Sequence, residues 1–287
     1  MKLAAVLLLS SMSATGSQYV TETLEWRRNA EERLKADDGW LTVAGLYWLK
    51  EGENRVGAGG TNPIALPPGS APGHAGIFRL HGGEVEFEAA PGVAVTHNGK
   101  PVSRMRLKSD DAGAPDQLVI RDLTMFVIKR GDRYAIRLRD KNSPMRRQFT
   151  HRTWFPVNEA YRIVAKWEPY QPPKTLAVPN ILGQTEQQPC PGVAVFTLRG
   201  AEYRLEPVLE DGRLFFIFKD RTAGRKTYPS GRFLYSDIRQ DGTVILDFNR
   251  AYNPPCAFTP YATCPLPPKQ NQLPVEIEAG ELTYHHE

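Results

Sequence analysis

The sequence predicts an all-β protein: one N-terminal helix followed by two antiparallel β domains. Three observations lead there. Gly and Pro number 24 each in 287 residues, well above the roughly 12% combined share of ordinary chains. Turn-forming dipeptides sit between apolar and aromatic runs: Gly82-Gly83, Asn98-Gly99, Gly131-Asp132, Asp211-Gly212 and Asp241-Gly242, with Arg199-Gly200 as a weaker case. These pairs supply the positive φ angles that tight hairpin turns demand. No strand–helix alternation runs along the chain, which excludes a parallel α/β sheet.

Taken in order, residues 1–16 read as an export signal. Lys2 is the charge, Leu3–Leu9 the apolar core, and Ser13, Ala14 and Gly16 the small residues for cleavage. The expectation is a periplasmic or secreted protein; a cytoplasmic one is the alternative if the apolar run is not a signal. Residues 17–39 are the helical segment, with Thr21–Asp38 its best part and Gly39 its stop. Val20, Leu24, Ala30 and Leu34 form a thin apolar stripe, so the helix is expected to lie on a β domain.

Residues 40–142 form the first β domain, in which Met125–Lys129 turns and returns as Tyr134–Leu138. The polar stretch Lys141–Arg152, interrupted by Pro144, is the boundary. With Arg137 and Arg139 it gathers Lys141, Arg146, Arg147 and Arg152, and it reads as a solvated linker. Residues 153–287 form the second β domain, a barrel or sandwich. Its strands are Val193–Leu198 with Tyr203–Leu205, then Leu214–Phe218 and Thr243–Phe248.

Composition narrows the function classes. Lys and Arg exceed Asp and Glu by only four charges, too small a bias for a nucleic-acid partner. No run of about 18 apolar residues exists, so no transmembrane helix is expected. There is no Gly-x-Ser-x-Gly, His-Glu-x-x-His or Gly-x-x-x-x-Gly-Lys. The three cysteines, Cys190, Cys256 and Cys264, make no C-x-x-C pair, and His285 and His286 read as a chain end. No metal and no cofactor are predicted. In an exported protein, Cys256 and Cys264 are the candidate disulfide, closing a nine-residue ring at a gain on the order of 2.6 kcal/mol. Buried free thiols or a Cys256 nucleophile are the alternatives.

The run Gly52–Gly57, Asn62–Leu66, Ser70–His74, Glu84–Phe87 and His97–Val102 resembles the forkhead-associated domain. That resemblance implies a β-sandwich whose loops bind phosphothreonine peptides. Ala58 stands where that family places its phosphate-contacting Arg. A phosphate needs charge-assisted donors, so phosphopeptide binding is not expected here.

Further on come Asp220–Gly224, Thr227–Tyr235, Leu246–Phe258, Tyr261–Pro268, Asn271 and Leu273–Glu281. They closely resemble the uncharacterised prokaryotic family called domain of unknown function 1684. The likeness covers most of the chain after the signal and is most specific from Thr227 to Glu281. It implies no activity.

The candidate site is read from alternation. In a strand, Val244, Leu246 and Phe248 face one way while Ile245, Asp247 and Asn249 face the other. A carboxylate there needs a partner, and Arg232 or Tyr228 is expected to supply it. With Asn253 these five residues, Tyr228, Arg232, Asp247, Asn249 and Asn253, make the candidate pocket. Phe215, Phe216, Phe218, Phe233, Tyr235, Phe248, Tyr252, Phe258 and Tyr261 crowd the same stretch. Aromatic walls with a few polar groups are the makeup of small-molecule sites. The leading expectation is an exported protein binding a small ligand or partner in its C-terminal domain. The alternatives are a hydrolase-type enzyme using Asp247, Arg232 and Cys256, and a structural or interaction protein without a pocket.

Overall fold

The computed structural model describes residues 7–285, with side chains from residue 18 onward. The first six residues of the expected signal and His286 lie outside the described residues, and for 7–16 only the helical backbone is described. The chain divides into two compact units. An N-terminal unit comprises Lys35–Phe149 and Thr259–Ala262. A C-terminal unit comprises the helix up to Leu34, Thr150–Phe258 and the segment from Thr263 on.

Helix α1 spans Leu7–Lys35, so it begins well upstream of Thr21. The Leu, Ser, Met and Ala residues there contain no proline to stop it. Its buried face is Tyr19, Thr23, Arg27, Ala30 and Leu34, at spacings of four, four, three and four. Leu24, expected in the stripe, is 52% exposed. The helix docks partly through polar side chains with fixed partners, and apolar patterning does not register these.

The N-terminal unit is a pair of sheets. Its strands are β1 (Val43–Trp48), β2 (Gly52–Gly57), β3 (Ile64–Ala65), β4 (Gly76–His81), β5 (Glu84–Ala89), β6 (Thr96–His97), β7 (Lys100–Pro101), β8 (Arg104–Leu107), β9 (Gln117–Ile120), β10 (Leu123–Arg130) and β11 (Arg133–Asp140). One sheet runs β1-β11-β10-β9-β6-β7 and the other β3-β2-β4-β5-β8. All pairings are antiparallel except β2 with β3. Val56, Phe78 and Phe87 of one sheet share a core with Leu118, Met125, Val127, Ile136 and Leu138 of the other. The β6–β7 turn places Asn98 at φ 50 and Gly99 at φ 73, the geometry of a type I′ hairpin.

The basic segment is less solvated than its composition suggests. It contains the short helix α2 (Pro144–Gln148). Lys141 and Arg146 pair with Asp37 at 3.0 and 2.9 Å. Arg137 and Arg152, read as part of a solvated linker, are buried. Arg137 lies over the ring of Trp40 and Arg152 pairs with a buried carboxylate. The Trp40 ring and the carboxylate each offset part of the cost of placing an Arg inside.

The C-terminal unit holds β12 (Arg162–Pro179), β13 (Thr185–Leu198), β14 (Ala201–Leu205), β15 (Val208–Glu210), β16 (Arg213–Phe218), β17 (Arg232–Ser236) and β18 (Thr243–Asp247). A four-stranded sheet has the order β14-β13-β12-β18, and a three-stranded sheet β15-β16-β17. Both sheets are antiparallel. They share one core: Ala165, Ala194, Phe196, Val244 and Leu246 from the first, Leu214, Phe216, Phe218 and Leu234 from the second. Leu273, Val275, Ile277 and Ala279 join that core from the proline-rich C-terminal stretch, which forms 3-10 turns and isolated bridges instead of strands. No described helix is long and apolar enough to cross a membrane.

Candidate functional site

Strand β18 ends at Asp247, and Phe248–Arg250 turn into a 3-10 helix. The alternation read through Phe248 and Asn249 therefore stops two residues early. Asp247 caps that turn, its Oδ1 accepting from the Asn249 N–H at 3.2 Å. It also accepts from the Tyr19 hydroxyl at 2.7 Å and pairs with Arg250 at 3.3 Å. Asn249 is fully buried. Its Nδ2 donates to the Tyr19 hydroxyl at 2.9 Å and the Asn158 carbonyl at 2.8 Å. Its Oδ1 accepts from the Asn158 N–H at 2.9 Å. Arg27 donates twice to the Asn249 carbonyl. Burial first, and then the bond to Asp247, pushes the Tyr19 phenol up to about 12.

The expected partners of Asp247 are elsewhere. Its strand neighbour is β12, where Arg162 stands opposite, so β17 does not present Arg232 to it. Arg232 is 1% exposed. Its Nη2 donates to Asp220 Oδ2 at 2.7 Å and to the Ile277 carbonyl at 3.1 Å, and its Nη1 donates to the Ala279 carbonyl. Asp220 Oδ1 in turn accepts from the Thr222 N–H and hydroxyl and from the Ile277 N–H.

Asn253 belongs to a second buried ion pair. Its backbone N–H donates to Glu281 Oε2 at 2.7 Å and its side chain to the Leu282 carbonyl at 2.7 Å. Arg152 grips both oxygens of Glu281, the bidentate geometry that suits guanidinium to carboxylate. Burial pushes the Glu281 carboxyl up, with Arg152 opposing it. Tyr228 donates to the Cys256 carbonyl at 2.9 Å. The structure thus joins Asp247 to Asn249 and gives Tyr228, Arg232 and Asn253 other partners. Asp247, Arg232 and Cys256 do not form a triad.

All three cysteines are thiols in this structure. Cys190 is buried and donates to the Gly192 carbonyl, and burial pushes its thiol up to about 11. The Cys256 N–H donates to Cys264 Sγ at 3.2 Å.

The aromatic crowd separates by strand alternation. On β16, Phe216 and Phe218 enter the core with Phe248, leaving Phe215 on the opposite face. There Phe215 stacks on Tyr235 at 4.7 Å and meets Phe233 edge-on at 4.8 Å. The row continues from Phe233 to Tyr252 at 5.9 Å, Tyr252 to Trp26 at 6.2 Å and Trp26 to Trp154 at 5.9 Å. Trp26, Trp154, Tyr235 and Tyr252 are half-buried. Cations edge the row: Arg213 lies over Tyr235, Arg250 over Trp26, and Arg27 and Arg152 over Trp154. Tyr235 hydrogen-bonds Glu210, whose carboxyl is pushed up by burial. Trp26 and Trp154 were missed in the sequence because no local motif joins a helix residue to one 128 positions later.

A second unforeseen cluster surrounds Glu206. The β12–β13 ladder breaks between Pro169 and Lys174, a bulge that re-aims the intervening side chains. Glu206 accepts from the Tyr170 hydroxyl at 2.6 Å, from Lys174 and from Gln270 at 2.9 Å. Burial opposes ionisation of Glu206, but these donors outweigh it and hold its carboxyl below the usual range. Among the described residues no group of three or more His, Cys, Asp or Glu side chains is gathered to hold a metal ion.

Comparison with known proteins finds a similarity to a family of unknown function. Residues 147–282 match the family described as "Protein of unknown function (DUF1684)"; the match is confined to these residues, a shorter stretch than the sequence suggests. An uncharacterised protein of Haloarcula marismortui, solved by NMR, is 29% identical over 49% of this chain and 80% of its own, with a TM-score of 0.41. The forkhead-associated domain of FhaA is 18% identical over 33% of this chain and 97% of its own, with a TM-score of 0.24. A domain solved in a study of phosphothreonine-dependent forkhead-associated interactions is also 18% identical, over 33% of this chain and 92% of its own, with a TM-score of 0.24. No curated protein matches the chain.

Proposed function

We propose that this is an exported β protein whose C-terminal unit binds a small ring-bearing ligand along the row Trp154, Trp26, Tyr252, Phe233, Phe215 and Tyr235. The row carries the reading. A β core needs aromatic residues on its inner face, and Phe216, Phe218 and Phe248 supply them. The outer row is additional, and its four half-buried rings leave part of their apolar surface open to a sugar or planar ring. Arg213 and Arg250 edge the row, each already paired with a carboxylate, Asp237 and Asp247, so the rings and not these cations make the contact. Hydrolysis by Asp247, Arg232 and Cys256 is less well supported, since Asp247 and Arg232 are already engaged in ion pairs. Export is supported by Lys2 and Leu3–Leu9.

Native mass spectrometry of protein purified from its own host tests both parts. The expected result is a mature chain beginning between Ala14 and Gln18 that carries a small-molecule adduct. Tyr235→Leu and Tyr252→Leu lose the adduct at unchanged circular dichroism. Intact Met1 on the mature chain would overturn export. Absence of any adduct, together with unchanged tryptophan fluorescence across a panel of sugars, nucleosides and aromatic acids, would overturn ligand binding.

A further inference from the structure

We propose that Cys256 and Cys264 form a reversible dithiol–disulfide centre in which Cys256 meets the external disulfide and Cys264 resolves it. This is independent of the ligand row. The first support is reach. The Cys256 amide nitrogen is 3.2 Å from Cys264 Sγ. With an N–Cα bond of about 1.46 Å, the Cys256 Cα lies no more than about 4.7 Å from that sulfur. The sulfur of Cys264 thus lies beside the backbone of Cys256, which makes the two thiols near neighbours for a disulfide.

The second support is rigidity. The Cys256 carbonyl accepts from Tyr228 at 2.9 Å, and the Cys264 carbonyl accepts from the Ile181 N–H at 3.0 Å. The Leu266 N–H donates to the Pro179 carbonyl at 2.7 Å. Pro254, Pro255 and Pro265 flank the two cysteines, and each proline's own φ is fixed by its ring. Both ends of the bond are therefore held in place before it forms.

The third is asymmetry. Cys256 is part-exposed, while Cys264 is 4% exposed. The hydrogen bond from Cys264, helped by Tyr228, holds the Cys256 thiol below its usual range against the opposing effect of burial. The thiolate is the attacking species in disulfide exchange. Cys190 differs on both counts, buried and pushed up to about 11.

The step balances with a low-molecular-weight disulfide such as glutathione disulfide. Cys256, having lost its proton, attacks one glutathione sulfur. Its S–S bond breaks, and the first glutathione leaves as thiolate and takes up a proton. Cys264 then loses its proton and attacks Cys256 Sγ, and the second glutathione leaves. Two protein thiols are oxidised to one disulfide, and one external disulfide is reduced to two thiols.

The test equilibrates the full chain in glutathione buffers of graded ratio, quenches with acid, alkylates and reads each cysteine by peptide mass spectrometry. The expected result is one two-electron transition in which Cys256 and Cys264 lose alkylation together, with Cys190 remaining a thiol throughout. Cys264→Ser accumulates a glutathione adduct on Cys256, whereas Cys256→Ser leaves Cys264 unmodified. Should either variant fail to fold, the wild-type titration decides alone. Independent titration of the two cysteines, a bond involving Cys190, no disulfide at any ratio, or a bond that persists in the most reducing buffer would each overturn the proposal.

Discussion

Arg232 and Asp220 meet at 2.7 Å inside the C-terminal unit, and neither side chain is more than 1% exposed. The pair is completed by backbone: Ile277 and Ala279 carbonyls accept from Arg232, and the Ile277 and Thr222 N–H groups donate to Asp220. It therefore ties β17 to the Asp220 turn and to the irregular stretch beyond Val275, which has no sheet of its own to hold it. Burial lowers the Arg232 pKa, with Asp220 opposing the shift.

Removing one partner leaves the other charge buried and unpaired. Arg232→Met and Asp220→Asn are each expected to cost roughly 3–5 kcal/mol in denaturant unfolding. The double variant should cost clearly less than the two singles together, because the pairwise contribution is counted once. Strictly additive losses, or singles near wild-type stability, would show that the pair does not hold this region.

Much of the architecture is legible in the sequence because hairpin turns are a local matter. Asn98-Gly99 and Asp211-Gly212 adopt positive φ for reasons contained in two residues, and the strands on either side follow. The partner of Arg232 is not local. Its selection depends on β18 pairing with β12 and on Asp220 lying just beyond β16, facts of register that no short window contains. The same holds for Arg152. Within a basic run it looks solvated, and only the return of Glu281 to its side makes it an interior residue. Helix α1 shows the limit of patterning from the other direction, since Thr23 and Arg27 occupy positions that apolar periodicity assigns to leucine.

The N-terminal unit is expected not to bind phosphothreonine peptides. Ala58 offers no charged donor. Two polar side chains of the neighbouring loops, Asn62 and Ser70, are already occupied by backbone. Asn62 Nδ2 donates to the Gly59 and Gly73 carbonyls at 2.8 and 2.7 Å, and the Ser70 hydroxyl to the Pro67 carbonyl at 2.6 Å. A phosphothreonine peptide library should give no binding that disappears on dephosphorylation. Micromolar, phosphate-dependent capture would refute this and point to another cationic group on that unit.

The bond between Tyr19 and Asp247 makes an alkaline prediction with a definite sign. The phenol is at about 12 in the folded chain, raised from 10.0, so folding favours its protonated form. The stability this supplies is fully present below pH 10, declines as the unfolded-state phenol ionises, and is lost by the time pH passes about 12. Two units correspond to on the order of 2–3 kcal/mol. Tyr19→Phe has no proton to lose, so the advantage of wild type over the variant should shrink across that window. Urea unfolding of both chains from pH 8 to 12 measures it, and parallel profiles would refute the coupling. Asp247→Asn separates the causes. Burial is the larger one, so the phenol should titrate below about 12 in that variant yet still above 10. A return all the way to 10 would mean that the carboxylate, and not burial, sets the shift.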